Sequence, residues 1–140
     1  VSTPVSLYPD QLVSEKNING NQLLQVPEIK YTVFGTYGFP LSSGANIDLS
    51  SVYSWTDEVF YSPFENDRDK SESYGRLDVR ATWTNSAQNV IVSAYVNNIL
   101  DDVAVLQVLR NGEEENFRVN AGTTLPRMMG LEFTYKLGAY

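Results

Sequence analysis

The stretch YGRLDVRATWTNSAQNVIVSAYVNNILDD, residues 74–102, decides the fold. Taken two residues at a time, its first half places Leu77, Val79, Ala81 and Trp83 on one side and Arg76, Asp78, Arg80 and Thr82 on the other, which is the period of a β-strand. After the polar connection Asn85, Ser86, Ala87 and Gln88, the second half separates Val90, Val92, Ala94 and Val96 from Ile91, Ser93, Tyr95 and Asn97. The two halves read as an antiparallel hairpin. With Trp83 opposite Val90, every apolar residue of one strand meets an apolar residue of the other, and the opposite face sets Arg80 by Ser93, Asp78 by Tyr95 and Arg76 by Asn97. A slip of one residue would mix the faces.

Working outward, the same alternation recurs on both sides. Pro27 opens a strand over 28–41, in which Ile29, Tyr31, Val33, Gly35, Tyr37, Phe39 and Leu41 share a face. Ser42, Ser43 and Gly44 make a short hairpin connection. The next strand, 45–56, carries Ala45, Ile47, Leu49, Ser51, Tyr53 and Trp55 on one face, so that pairing Leu41 with Ala45 sets Phe39 by Ile47, Tyr37 by Leu49, Val33 by Tyr53 and Tyr31 by Trp55. Residues 57–73, rich in acids, read as a long exposed loop. Beyond the central hairpin, whose strands span 74–84 and 88–99, segments 103–110 and 113–119 flank Asn111 and Gly112 and suggest a smaller ribbon with a two-residue turn. A last strand, 127–137, places Met129, Leu131, Phe133, Tyr135 and Leu137 on one face. The expected class is all-β, an antiparallel sheet of about five long meander strands. Residues 1–27 read as loop or as the end of a preceding strand.

Composition sets limits. The chain has 140 residues, is 42% hydrophobic and 19% charged, and has the balance of a folded protein. Its net charge of −7 argues against nucleic acid, which demands a basic stripe. Cysteine and histidine are absent, which removes thiol chemistry and the commonest general base and metal ligand. No apolar run approaches the ~20 residues of a spanning helix, a test that is blind to strands, which need only ~10. Starting at Val1 without a leader pattern, the sequence reads as a processed protein or a piece of a longer one. The acidic runs at 57–72 and 113–115 are read as solvated loops, and no catalytic, metal or cofactor constellation emerges.

Height along the strands is informative. Tyr37, Phe39, Trp83 and Tyr135 lie toward the short-turn end, Tyr31, Tyr53 and Trp55 toward the long-loop end, with aliphatic and small residues between them. Aromatic girdles flanking an aliphatic band are what a bilayer selects in a barrel wall. The competing reading is a soluble β-sandwich that binds carbohydrate through Tyr31, Tyr53 and Trp55, and it requires a second sheet.

YGRLDVRATWT followed by VSAYVNNILDD, the final PRMMGLEFTYKL and the earlier NGNQLLQVPEIKYTVFGTYGFPL together resemble the C-terminal end of a TonB-dependent outer-membrane receptor. The resemblance implies the last five strands of a transmembrane barrel of about 22, in the outer membrane of a Gram-negative bacterium, with long loops outside the cell. It implies as partners the outer-membrane lipid, a plug and earlier strands that this chain lacks, TonB acting through that missing part, and a small nutrient such as an iron–siderophore complex. Arg76, Asp78, Arg80, Asn97, Glu132 and Lys136 would then face the lumen, with Asp78 between Arg76 and Arg80 in a salt-bridge ladder. Tyr31, Tyr37, Phe39, Tyr53, Trp55 and Trp83 would sit at the lipid interface, and Gly130, Phe133 and Tyr135 would form the signal read by the barrel-assembly machinery. Tyr140 is the candidate for the terminal aromatic. Tyr61, Phe64 and Phe117, on the outer loops, are the candidates for contact with cargo.

Overall fold

The computed structural model describes residues 18–65, 67, 70–116 and 118–138. Within them lie nine strands: β1 (Lys30–Pro40), β2 (Asn46–Thr56), β3 (Val59–Phe60), β4 (Lys70–Ser71), β5 (Tyr74–Thr84), β6 (Val90–Asn97), β7 (Val105–Arg110), β8 (Val119–Thr123) and β9 (Met128–Tyr135). The five long ones form one antiparallel sheet in the order β1-β2-β5-β6-β9, as the alternation predicts. The two ribbons, β3-β4 and β7-β8, stand apart from it. The loop expected over 57–73 is thus partly ordered, because Lys70 draws in Glu58 at 3.4 Å and Glu72 at 3.2 Å.

Register places every row of the apolar face. At the short-turn end Phe39, Ile47, Trp83, Val92 and Phe133 lie side by side, and the next row is Tyr37, Leu49, Ala81, Ala94 and Leu131. Gly35, Ser51, Val79, Val96 and Met129 follow, then Val33, Tyr53 and Leu77, and at the long-loop end Tyr31, Trp55 and Gly75. Tyr31 stacks on Trp55 with ring centroids 5.7 Å apart, and Tyr37 meets Phe39 edge-on at 4.5 Å. Between the two aromatic rows the strands rise about 27 Å at ~3.4 Å per residue, which a barrel tilt of ~40° reduces to roughly 20 Å. Within the described residues nothing covers this face: Leu131 is 80% exposed, Met129 75% and Phe133 71%.

The opposite face is polar but interrupted. Asp48, Ser50, Arg76, Asp78, Arg80, Thr82, Ser93 and Glu132 share it, and the Thr82 and Ser93 hydroxyls pair at 3.0 Å. Phe34, paired with Val52, lies exposed among them.

Two expectations about turns need correction. The β1–β2 register is as read, with the Leu41 amide donating to the Ala45 carbonyl and Gly44 at φ +80°. The β5–β6 register is displaced by two residues, so that Trp83 faces Val92 and Arg80 faces Tyr95. The cause is Asn85, whose side-chain oxygen accepts from the amides of Asn89 and Val90. That cap takes Asn89 into the loop and closes it on Asn85–Val90, with Gln88 in the left-handed region. Asn111 and Gly112, in turn, do not make the β7–β8 hairpin. A two-residue turn of that kind needs positive φ, whereas Gly112 has φ −79° and the left-handed residue is Asn116, after a single 3-10 turn at Glu113–Glu115. The ribbon's second strand therefore begins at Val119, not within 113–118.

Asn85→Ala removes the cap's two hydrogen bonds and a third, from Asn85 Nδ2 to Asn89 Oδ1 at 2.7 Å. The expected cost is about 1–2 kcal/mol, read as a lower urea midpoint when the fluorescence of Trp83 is followed in detergent micelles.

Candidate functional site

The most tightly organised part of the molecule is the corner where β6 ends. Asn98 and Asp101 adopt left-handed backbones, φ 53° and 57°, conformations that asparagine and aspartate tolerate better than most residues. The chain therefore turns sharply off the sheet there. The Asn98 side chain, only 1% exposed, points inward and donates to the carbonyls of Asp102 at 3.0 Å and Leu125 at 3.1 Å. Its backbone amide donates to Asp78 Oδ1 at 2.8 Å. Asp102 accepts from the Gly75 amide at 3.0 Å, and the Ile99 amide reaches the Leu77 carbonyl. One short segment thus ties the start of β5, the end of β6 and the entry to β9.

A clamp completes the corner on its outer side. Asp101 accepts from the Arg127 amide and from its guanidinium, both at 2.9 Å. These two donors, the amide first, hold the Asp101 carboxyl below the usual aspartate range. Asn98, Asp101 and Asp102 were not among the residues singled out from the sequence. The signal for them is the NNILDD run itself, since two adjacent asparagines and two adjacent aspartates at a strand end mark a left-handed corner with caps.

Above the corner the loops pack on one another. Tyr61 donates its hydroxyl to the Val105 carbonyl at 2.8 Å, tying the β3-β4 side to β7. Burial, and Tyr74 nearby, raise the pKa of that hydroxyl. Residues 21–25 lie against the same loop, with the Gln25 amide on the Phe60 carbonyl and the Gln22 amide on Glu65. Lys70 lies within reach of three acids, and its hydrogen bond to Glu72 leads the causes that raise its pKa. Of the residues expected to meet cargo, Tyr61 is half-buried in this platform, Phe64 is exposed at its edge, and Phe117 lies outside the described residues.

The residues expected in the lumen divide into two groups. Arg76 pairs with Asp78 at 3.0 Å, but Arg80 turns away from Asp78 and crosses β6 to meet Glu132 through two bonds, 2.7 and 3.2 Å. The expected ladder is therefore two separate pairs, because Asp78 is already engaged by Arg76 and the Asn98 amide. Arg80 also lies 5.2 Å over the Tyr95 ring. Asn97 shares this face opposite Met128. Lys136 lies just past β9, its amide on the Asn89 carbonyl at the short-turn rim. Of the last-strand trio, Phe133 and Tyr135 lie on the apolar face and Gly130 on the polar one.

A sheet apolar on one side and polar on the other, with short turns at one end and packed loops at the other, is the geometry of a barrel wall. A family model described as TonB dependent receptor-like, beta-barrel, matches residues 5–99. The chain belongs to that family. TonB-dependent receptors are transporters of the Gram-negative outer membrane. The receptor match ends at Ile99, one residue into the corner, so the clamp and β9 lie beyond it. No curated protein and no solved structure matches this receptor chain significantly.

Asn98→Ala leaves two buried carbonyls without their donor and is expected to cost about 3 kcal/mol. Asn97→Ala, one residue earlier on the polar face, is expected to cost about 0.5 kcal/mol. Urea titration in micelles separates the two. The Asp101 clamp has its own pH signature. A carboxyl whose folded pKa is depressed contributes stability above its unfolded pKa and loses it as pH falls through the lower folded value. The Arg127 amide resonance should accordingly shift only below the ordinary aspartate range, and in Arg127→Gln that midpoint should move upward.

Proposed function

We propose that this sheet is part of a receptor that binds a scarce nutrient such as an iron–siderophore complex outside the cell and imports it with energy delivered by TonB. The observation that carries the reading is the uncovered apolar face between two aromatic rows, opposite a face of paired charges. Family membership supports the transport class. The cargo is supported only by the loop platform, whose exposed Phe64 and partly buried Tyr61 offer aromatic surface near a cluster of acids. In this reading the partners of the wall are lipid on the apolar face, a plug on the polar face, and the barrel-assembly machinery through Gly130, Phe133 and Tyr135.

A β-sandwich would cover the apolar face with a second sheet. Among the described residues the remaining strands form only two-stranded ribbons, and Tyr31, Tyr53 and Trp55 pack on one another instead of lining a groove.

The test of function is uptake of labelled ferric siderophore by iron-starved cells with and without the gene for this chain. Loss of uptake for at least one siderophore class is expected. Unchanged uptake of every class would remove the iron assignment and leave the transport class standing. On the wall itself, Leu131→Arg at the middle of the lipid face should cost about 2–4 kcal/mol, against about 0.5 kcal/mol for Thr36→Arg on the polar face. Urea titration of the lipid-inserted protein measures both.

A further inference from the structure

Alternation alone cannot register this sheet. A slip of one residue exchanges the faces, but a slip of two returns apolar residues to apolar residues. Trp83 opposite Val90 and Trp83 opposite Val92 satisfy the pattern equally. Two of the four seams resolve the tie with a tight turn: Gly44 closes β1 on β2, and the Asn85 cap closes β5 on β6. The other two, β2–β5 and β6–β9, are joined by long connections with no tight turn at the sheet, held only at their outer ends by the β3-β4 ribbon and by the Asn98 and Asp101 corner.

Each of those two seams holds a tyrosine ring laid against a glycine of the facing strand. On the polar face Tyr95 lies directly opposite Gly130, so close that a Cβ on Gly130 would fall 2.5 Å from its hydroxyl oxygen, 2.6 Å from Cζ and 3.0 Å from Cε1. On the apolar face Tyr53 lies diagonally over Gly75, where a Cβ would fall 2.9 Å from its hydroxyl and 3.3 Å from Cε2. The strand glycines of the β1–β2 seam, Gly35 and Gly38, meet only Ser51, Asp48 and Asn46, with no ring against them. Aromatic cover of a strand glycine supplies the packing that the missing side chain cannot.

We propose that Tyr95 on Gly130 and Tyr53 on Gly75 are the register keys of the two seams that lack a tight turn. A slip of two at β6–β9 would set Tyr95 against Met128 or Glu132 instead of Gly130. There the ring finds a side chain in its seat. It would also separate Arg80 from Glu132, which at present clasp the polar face across β6 with Arg80 over the same ring. Gly130 is in this account the seat of a ring, whatever else the last strand signals, and the inference rests on the sheet and not on the identity of the cargo.

The chain has no cysteine, so an engineered pair reports register without interference. Val92→Cys combined with Phe133→Cys reads the native pairing, and Val92→Cys with Leu131→Cys or Tyr135→Cys reads the two slipped ones. Oxidation of the membrane-inserted protein should trap the native pair when Tyr95 is present and equally in Tyr95→Phe, which keeps the ring. Tyr95→Ala, which introduces no clash, should lower the ratio of native to slipped product about fivefold, the upper range for one cross-strand pair. An unchanged ratio in Tyr95→Ala overturns the proposal. Loss of all three products in Tyr95→Ala overturns it too, since the ring would then hold the strand without choosing its partner.

Discussion

A sheet that is apolar along one face from end to end must keep that face out of water, and the other features of this chain answer to that constraint. Every second residue of five strands is committed to it. What remains for polar chemistry is the opposite face, the turns and the loops. Four charges on the polar face are paired side chain to side chain, Arg76 with Asp78 and Arg80 with Glu132, and Asp48 accepts from the Asn46 side-chain amide, while the backbone groups of the long strands are spent on one another. The outer strands, β1 and β9, each have one neighbour within the described residues, and an unpaired strand edge in hydrocarbon is costly. Both edges of the wall are therefore open to pairing with a further strand.

The corner at Asn98 joins the wall to the loops. Because its side chain donates to the carbonyls of Asp102 and Leu125, the connection that leaves β6 and the segment that returns to β9 are held at the same point. The β7-β8 ribbon projects from that point and meets Tyr61 of the neighbouring loop through Val105. The outer loops are thus anchored at one knot, with Asp101 and Arg127 as its outer clamp. Asn98 is the largest completely buried side chain among the described residues, and it is held by hydrogen bonds.

Much of this was legible in the alternation of residues. The faces, the long strands and the β1–β2 register follow from period two and from Gly44 after Ser42 and Ser43. The β5–β6 register did not follow, because period two is indifferent to a shift of two and the Asn85 cap that decides it is a side-chain event within the loop. Asn111 and Gly112 looked like a hairpin turn by composition, yet the left-handed position fell to Asn116. The partner of Arg80 is hidden for a related reason: Asp78 is its neighbour in sequence, whereas Glu132 becomes a neighbour only once β9 is registered. The importance of Asn98 lies in burial, which sequence spacing does not display.

The central claim is that the two faces of this sheet meet two different solvents. A scan of nitroxide spin labels at successive positions from Met128 to Tyr135 in the lipid-inserted protein measures it directly, by collision with oxygen, which concentrates in hydrocarbon, and with a polar nickel complex, which stays in water. The account predicts a period of two in both, in opposite phase, with oxygen favoured at Met129, Leu131, Phe133 and Tyr135 and nickel at Gly130, Glu132 and Thr134. Equal access of the nickel complex to both sets, or no period at all, would contradict it.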